Sequence, residues 1–235
     1  NVFFINNGTD AIEGAIKLAR LYTRRNLFVS TIGGFHGKSM GSLSLMGKAS
    51  FREPFAGGLQ DVRFVPYGDA DALEAELHKA EQVGTPVAGF VVEPVQGEAG
   101  GVVPSEDYLP RARELCTRYG ALLIADEIQT GMGRTGKMWA IEHAGVEPDI
   151  VLSGKGIAGG MPLGANRPRN FGPCLMKPRM KTLKKVRTAS VAVRQLPRIA
   201  CRARKTPIMT INRPIKTRRL KKADWEADFF FMSWE

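Results

Sequence analysis

The sequence predicts an α/β protein built on a mainly parallel sheet with helices on both faces. Over residues 1–165, short apolar runs typical of buried strands alternate with longer stretches whose apolar residues recur every three or four positions. Such strand–helix–strand repeats make neighbouring strands parallel, because each crossover helix returns the chain to the same edge of the sheet. Several apolar runs also end abruptly in polar residues, as strands do where their carboxyl ends open into a binding site.

Each predicted element follows from its own pattern. The predicted strands are continuous apolar runs: Val2–Ile5, Leu27–Thr31, Val62–Val65, Val87–Val92, Ala121–Ala125 and Asp149–Leu152. The predicted helices carry apolar residues at helical spacing: Ala11–Thr23, Ala70–Val83 and Tyr108–Tyr119. Because the chain opens directly in a strand, we expect an N-terminal portion to be missing.

The composition fits a cytoplasmic protein. A chain of 235 residues can form one or two domains and bury a sizeable core. No apolar run approaches the roughly 20 residues of a membrane-spanning helix, so we predict no membrane partner. The three cysteines are widely spaced, which indicates reduced thiols and no metal motif or disulfide framework.

Charge divides the chain into two unlike pieces. Residues 1–165 carry 15 Lys+Arg and 19 Asp+Glu, whereas residues 166–235 carry 19 and 4. The strand–helix rhythm ends at Asn166 and prolines interrupt the helical patterns beyond it. We therefore predict a disordered basic tail, produced by an altered reading frame or a chimeric gene model. A genuine basic tail that binds nucleic acid is the competing interpretation, and the less favoured one.

Two charged residues at strand ends indicate pyridoxal phosphate chemistry. Lys155 lies in a glycine-rich loop just after Asp149–Leu152, and Asp126 ends the run that begins at Ala121. Such an enzyme needs a lysine that attaches the cofactor and an acid that keeps the ring nitrogen protonated. Lys155 taken alone favours an ordinary surface lysine in a glycine-rich loop, whereas its combination with Asp126 and the rest of the chain favours the cofactor.

Two more loops follow predicted strands at the same edge. Gly8 and Thr9 open a helix, where unpaired N–H groups and the Thr9 hydroxyl can bind a phosphate. A simple helix cap by Thr9 or Asp10 is the alternative. Phe35 can stack on a pyridine ring or pack in a core, and His36 is either a site residue or a structural histidine.

Three polar residues in later loops are further candidates. Glu98 belongs to the loop after Val87–Val92, with a solvated turn as its alternative. Gln129 can hydrogen-bond the cofactor's phenolic oxygen. Arg134 is either an anion contact or an ion-pair partner of Glu127.

Five motifs occur in one order over residues 1–165: Asn7-Gly8-Thr9-Asp10-Ala11, Phe35-His36-Gly37-Lys38, Glu93-Pro94-Val95-Gln96-Gly97-Glu98, Asp126-Glu127-Ile128-Gln129-Thr130-Gly131 and Ser153-Gly154-Lys155-Gly156. Together they resemble the class-III, or ω-amino acid type, aminotransferases of the fold-type-I pyridoxal phosphate family. The resemblance implies an incomplete large domain of that fold, pyridoxal 5′-phosphate as cofactor and a homodimer in the parent family.

The resemblance also implies a role for each matching residue. Lys155 corresponds to the Schiff-base lysine and Asp126 to the pyridinium partner. The other cofactor contacts it implies are Gly8 and Thr9 at the phosphate, Phe35 stacked on the ring with His36 beside it, and Gln129 near the phenolic oxygen.

The choice of substrate depends on two departures from the family pattern. Acetylornithine-specific members resemble Phe-His-Gly-Arg where this chain has Lys38, a point charge that cannot grip an α-carboxylate bidentately. We therefore expect a putrescine- or 4-aminobutyrate-like donor and an oxo acid acceptor such as 2-oxoglutarate. Glu98 is similar to a switch residue whose arginine partner lies in a region that this chain does not resemble. An inactive truncated fragment is the alternative, and a nucleic-acid-binding protein the second.

Overall fold

The computed structural model describes residues 2–169. Seven strands lie within them: β1 Phe3–Ile5, β2 Leu27–Thr31, β3 Val62–Val65, β4 Val87–Val92, β5 Leu122–Asp126, β6 Ile150–Ser153 and β7 Gly164–Pro168. The α-helices are α1 Gly8–Thr23, α2 Met40–Ser44, α3 Ala49–Arg52, α4 Ala70–Gln82 and α5 Tyr108–Tyr119. Short 3₁₀ helices cover Glu53–Gly58, Ala140–Ala144 and Lys155–Ala158. Beyond residue 169, the predictions for the basic tail lie outside the described residues.

The strands form one sheet in the order β1-β7-β6-β5-β4-β2-β3. Strands β2 to β6 pair in parallel, while β7 is antiparallel to both β6 and β1. The predicted mainly parallel sheet is therefore confirmed. Its consequence for function is that the carboxyl ends of β2, β4, β5 and β6 lie along one edge.

Helices cover both faces of the sheet, as predicted. On one face α1 packs against Phe28, Ile124 and Leu152, all nearly inaccessible to solvent. On the other face α4 and α5 pack against Val29 and Leu123. Each such aliphatic or aromatic side chain stabilises the fold by about 1.5–3 kcal/mol when fully buried, so the sheet is held firmly between two apolar layers.

Gly8 and Thr9 open α1 as predicted, three residues before the bound that the apolar pattern gave at Ala11. The helix begins at Gly8, and Asn7 is its cap, with the side-chain oxygen accepting the Asp10 N–H at 2.9 Å. Capping by Thr9 or Asp10 was therefore wrong. The first turn is polar and carries no apolar periodicity, which is why the pattern alone placed the start at Ala11.

Strand β7 was not predicted. It crosses the expected boundary at residue 165, and its Asn166 pairs with Leu152 of β6 and with Phe3 of β1. Asn166 is fully buried, and neither polar atom of its side chain has a hydrogen-bond partner among the described residues. Pro168 pairs with β6 beyond the last β1 contact, where its missing N–H costs the sheet little. Backbone pairing on both sides thus outweighs the low strand propensity of Asn and Pro.

Among the described residues, no helix has the length and apolar character that crossing a membrane requires.

Candidate active site

Strand ends and the start of α1 meet at one edge of the sheet. Asp126 is the last residue of β5 and pairs in register with β6, which leads within three residues to Lys155. Glu93 follows directly after β4, the other neighbour of β5. A Cβ atom on Gly154 would lie 3.5 Å from the Cα of Gly8, so the loop before Lys155 touches the start of α1. The fold therefore brings together groups that lie far apart in sequence.

Asp126 and His36 form a buried pair. His36 Nδ1 lies 2.7 Å from Asp126 Oδ2, and their side chains are 0% and 4% exposed. A carboxylate only accepts, so Nδ1 carries the proton in this bond. The other oxygen, Oδ1, accepts the Ile128 N–H at 3.1 Å. The carboxylate is thus oriented by two donors.

The first turn of α1 presents backbone donors. Asn7 accounts for the Asp10 and Ala11 N–H groups, whereas those of Gly8 and Thr9 have no acceptor within the helix. These donors and the positive end of the helix dipole suit a phosphate. The Thr9 hydroxyl, however, lies 2.8 Å and 2.6 Å from the hydroxyls of Ser39 and Ser42. That cluster ties the helix start to α2.

Lys155 is exposed and has an unusual backbone. It begins the 3₁₀ helix after β6 with φ 43°, in the left-handed region that non-glycine residues seldom adopt. Gly154 before it packs against Ile128, whose Cγ2 would lie 3.1 Å from an added Cβ. The chain turns sharply after β6, at the edge of the sheet where Asp126 ends β5. Strained backbone of this kind clusters at functional sites.

Phe35 is half-buried beside the pair. Its N–H donates to Glu93 Oε2 at 3.0 Å, and its ring meets that of Phe51 edge-on with centroids 6.2 Å apart. The predicted stacking of Phe35 on a pyridine ring stays a prediction.

The side-chain amide of Gln129 lies against Gly97, in the loop after β4. A Cβ at residue 97 would overlap the Gln129 side-chain amide, so a larger residue there would displace that flexible, exposed side chain. The fold thus brings Gln129 to the same edge as Asp126, while its contact with a phenolic oxygen stays a prediction.

The two residues expected to bind substrate lie on the exposed rim. Glu98 is exposed, and its backbone oxygen accepts from Lys48 Nζ at 3.2 Å. Lys38 is also exposed, with Nζ 5.5 Å from the centre of the Phe51 ring. Their roles in substrate binding stay predictions.

Glu127 points away from the site, unlike its neighbour Asp126. It is fully buried, with Oε1 accepting the Ile141 N–H at 2.8 Å and Oε2 accepting from the Thr130 hydroxyl. The ion pair with Arg134 is not formed, and Arg134 is exposed. Burial raises the pKa of the Glu127 carboxyl.

Comparison with known proteins decides the family. The model of the class-III aminotransferase family matches residues 1–170. The chain belongs to the class-III aminotransferase family. That match extends five residues past the boundary predicted at residue 165, which itself stays a prediction.

Individual relatives of this aminotransferase chain support the same assignment. The chain is 48% identical over 167 residues to a putrescine aminotransferase from Pectobacterium atrosepticum, which covers 69% of this chain and 36% of the relative. An ornithine aminotransferase structure from Toxoplasma gondii matches with a TM-score of 0.69 and 34% identity, over 76% of this chain and 43% of that one. A PLP-bound amine transaminase structure from an uncultivated Pseudomonas species matches with a TM-score of 0.67 and 36% identity, over 73% of this chain and 44% of that one. The chain thus spans less than half the length of these relatives.

The aminotransferase site fits pyridoxal 5′-phosphate, the cofactor of class-III members. The oriented Asp126 carboxylate suits a protonated ring nitrogen. The N–H groups of Gly8 and Thr9, which have no acceptor within the helix, suit a phosphate, and Lys155 follows the neighbouring strand. No group of three or more His, Cys, Asp or Glu in the described part of the chain is placed to hold a metal ion.

Two site residues were not recognised as such from the sequence. Ile128 lies against Gly8 and Gly154, at 3.0 Å and 3.1 Å from the Cβ positions of those glycines. Glu93 is 3% exposed and bonded to the Phe35 N–H. The signal for Ile128 was an apolar residue directly after the pair Asp126-Glu127. The signal for Glu93 was its place directly after β4, as the first glutamate of its motif.

Proposed function

We propose that this chain carries the cofactor site of an aminotransferase that moves an amino group from a diamine or ω-amino acid to an oxo acid. A putrescine- or 4-aminobutyrate-like donor and 2-oxoglutarate as acceptor are the substrates we favour, in a cytoplasmic homodimer. The observation that carries the proposal is the meeting of the His36–Asp126 pair, the start of α1 and the Lys155 loop at one sheet edge.

Each group has a distinct task. When bound, pyridoxal phosphate supplies an electron sink that stabilises a carbanion at the substrate carbon. Asp126 holds a proton on the ring nitrogen, and the Gly8 and Thr9 N–H groups bind the phosphate. Lys155 would hold the cofactor at rest; once the incoming amine displaces it, Lys155 Nζ would take the proton from the substrate carbon as general base and then give that proton up at a different atom as general acid.

The donor preference follows from Lys38. An ammonium gives a point charge without the planar fork that grips a carboxylate, so an α-carboxylate gains less here than it would from arginine. The likeness to a putrescine aminotransferase supports the same preference.

Attachment of the cofactor at Lys155 tests the proposal directly. The purified 235-residue chain is incubated with pyridoxal phosphate, reduced with borohydride and digested, and the modified lysine is identified by mass spectrometry. We expect modification at Lys155, and its loss in Lys155→Ala but not in Lys79→Ala, an exposed lysine on α4. Modification spread over surface lysines would refute the assignment.

Turnover is measured separately with putrescine, 4-aminobutyrate and acetylornithine as donors and 2-oxoglutarate as acceptor. We expect the first two donors to be preferred. Specific modification of Lys155 without any turnover would instead identify a cofactor-binding fragment that lacks transaminase activity.

A further inference from the structure

The imidazole of His36 is held from one side. Nδ1 is bonded to Asp126, while Nε2 is buried without a hydrogen-bond partner among the described residues. A Cβ on Gly34 would lie 3.0 Å from Nε2, so glycine at this position leaves the ring its space. The angle at which His36 meets Asp126 therefore depends on the backbone of its own loop.

Glu93 holds that backbone at the preceding residue. Its Oε2 accepts the Phe35 N–H at 3.0 Å, and the carboxyl is almost completely buried. The backbone of Glu93 is in turn anchored, because the Tyr67 hydroxyl donates to the carbonyl oxygens of Glu93 and Pro94 at 3.0 Å and 2.9 Å. A chain of contacts thus runs from Tyr67 through Glu93 to the Phe35-His36 segment.

We propose that Glu93 is a positioning residue of the cofactor site, whose carboxylate binds the Phe35 N–H and so holds His36 against Asp126. The inference rests on the proposed function for its consequence, namely a correctly aimed Asp126. The contact itself is a property of the chain without cofactor.

The electrostatics of the cluster agree with this geometry. Burial raises the pKa of the Glu93 carboxyl, while His36 lowers it and Asp126 raises it. The Phe35 and Gly97 N–H groups lower it as well. Two acids and one imidazole therefore share one buried space, in which a misplaced group is costly.

The test compares Glu93→Ala, which removes the acceptor, with Glu93→Gln, which keeps one, and with Glu106→Gln, an exposed control. The chain has three histidines, so the bonded imidazole proton of His36 is assigned by NMR from its disappearance in His36→Gln. We expect this proton to be visible in the cofactor-free wild type and control, lost to solvent exchange in Glu93→Ala and retained in Glu93→Gln.

Pyridoxal phosphate titration gives a second measurement. We expect the dissociation constant to rise about tenfold or more in Glu93→Ala and little in Glu93→Gln, the scale on which residues that orient metal ligands act at metal sites. Should borohydride labelling miss Lys155, the proposed function fails while the NMR comparison keeps its meaning.

Two results would overturn the inference: an unchanged His36 proton in Glu93→Ala, or its loss in Glu93→Gln, where an acceptor remains. If Glu93→Ala does not fold, hydrogen exchange of the Phe35 N–H decides. We expect protection in wild type and Glu93→Gln, and exchange as fast as in exposed backbone would contradict the proposal.

Discussion

Replacement of Asp126 by asparagine separates the charge of this residue from its shape. In the wild type, the Ile128 N lies 3.1 Å from Oδ1 and His36 Nδ1 lies 2.7 Å from Oδ2. In the variant the amide oxygen can still accept the Ile128 N–H, but the new NH₂ group then faces His36 Nδ1. Because both partners are buried, solvent cannot replace the lost bond.

The size of the effect depends on the tautomer of His36. A buried bond to a charged group stabilises by about 1.5–3 kcal/mol, so losing it lowers the folding equilibrium constant about 10- to 150-fold. If Nδ1 instead gives up its proton and accepts from the amide, a neutral bond remains and the loss falls to about 1 kcal/mol. In either case the negative charge is gone, and we expect turnover to fall about 10²–10³-fold, as on removal of one preorganised electrostatic group.

Urea denaturation and transamination rates measure the two effects on Asp126→Asn. Asp61→Asn is the control, because the Asp61 side chain is 69% exposed and its stability should change by less than about 0.5 kcal/mol. We expect cofactor still to attach to Lys155 in both variants. Near-normal turnover with the amide in place would remove Asp126 from its role at the ring nitrogen.

Four further changes test other parts of the site. Lys155→Gly should be more stable to urea than Lys155→Ala by about 1 kcal/mol, because glycine has no penalty at φ 43°; equal stability would argue against that backbone. Gly97→Ala should displace the Gln129 amide and weaken cofactor binding, and an unchanged dissociation constant would contradict the contact. Lys38→Arg should raise kcat/KM for acetylornithine relative to putrescine, and an unaltered ratio would exclude Lys38 from donor choice. Burial raises the pKa of Glu127 above its ordinary 4.5, so ionisation at rising pH costs the folded wild type but not Glu127→Gln. The unfolding free energy of the wild type should therefore fall relative to that of Glu127→Gln as the pH rises above about 4.5. A difference between the two proteins that does not change with pH would refute this.

Much of the scaffold was accessible from local pattern. The bounds of β2, β3, β4 and α5 agree with those expected, because apolar runs and helical spacing are properties of neighbouring residues. Asp126 and Lys155 could be assigned to one edge for the same reason, since parallel strands share their carboxyl ends. Strand β7 could not, because its polar residues are strand only through pairing with β6 and β1.

The pairing of side chains was decided by tertiary structure. His36 and Asp126 are 90 residues apart, and Phe35 and Glu93 58 apart, so no local pattern links them. Their contacts depend on the order of β2, β4 and β5 in the sheet and on the path of each loop. The sequence by itself thus determined that Asp126 and Lys155 lie at one edge of the sheet, whereas the fold determined which side chains meet there. The apolar strands follow from a local sequence pattern, but strand β7 and the hydrogen bonds between distant loops require the rest of the sheet to be assembled.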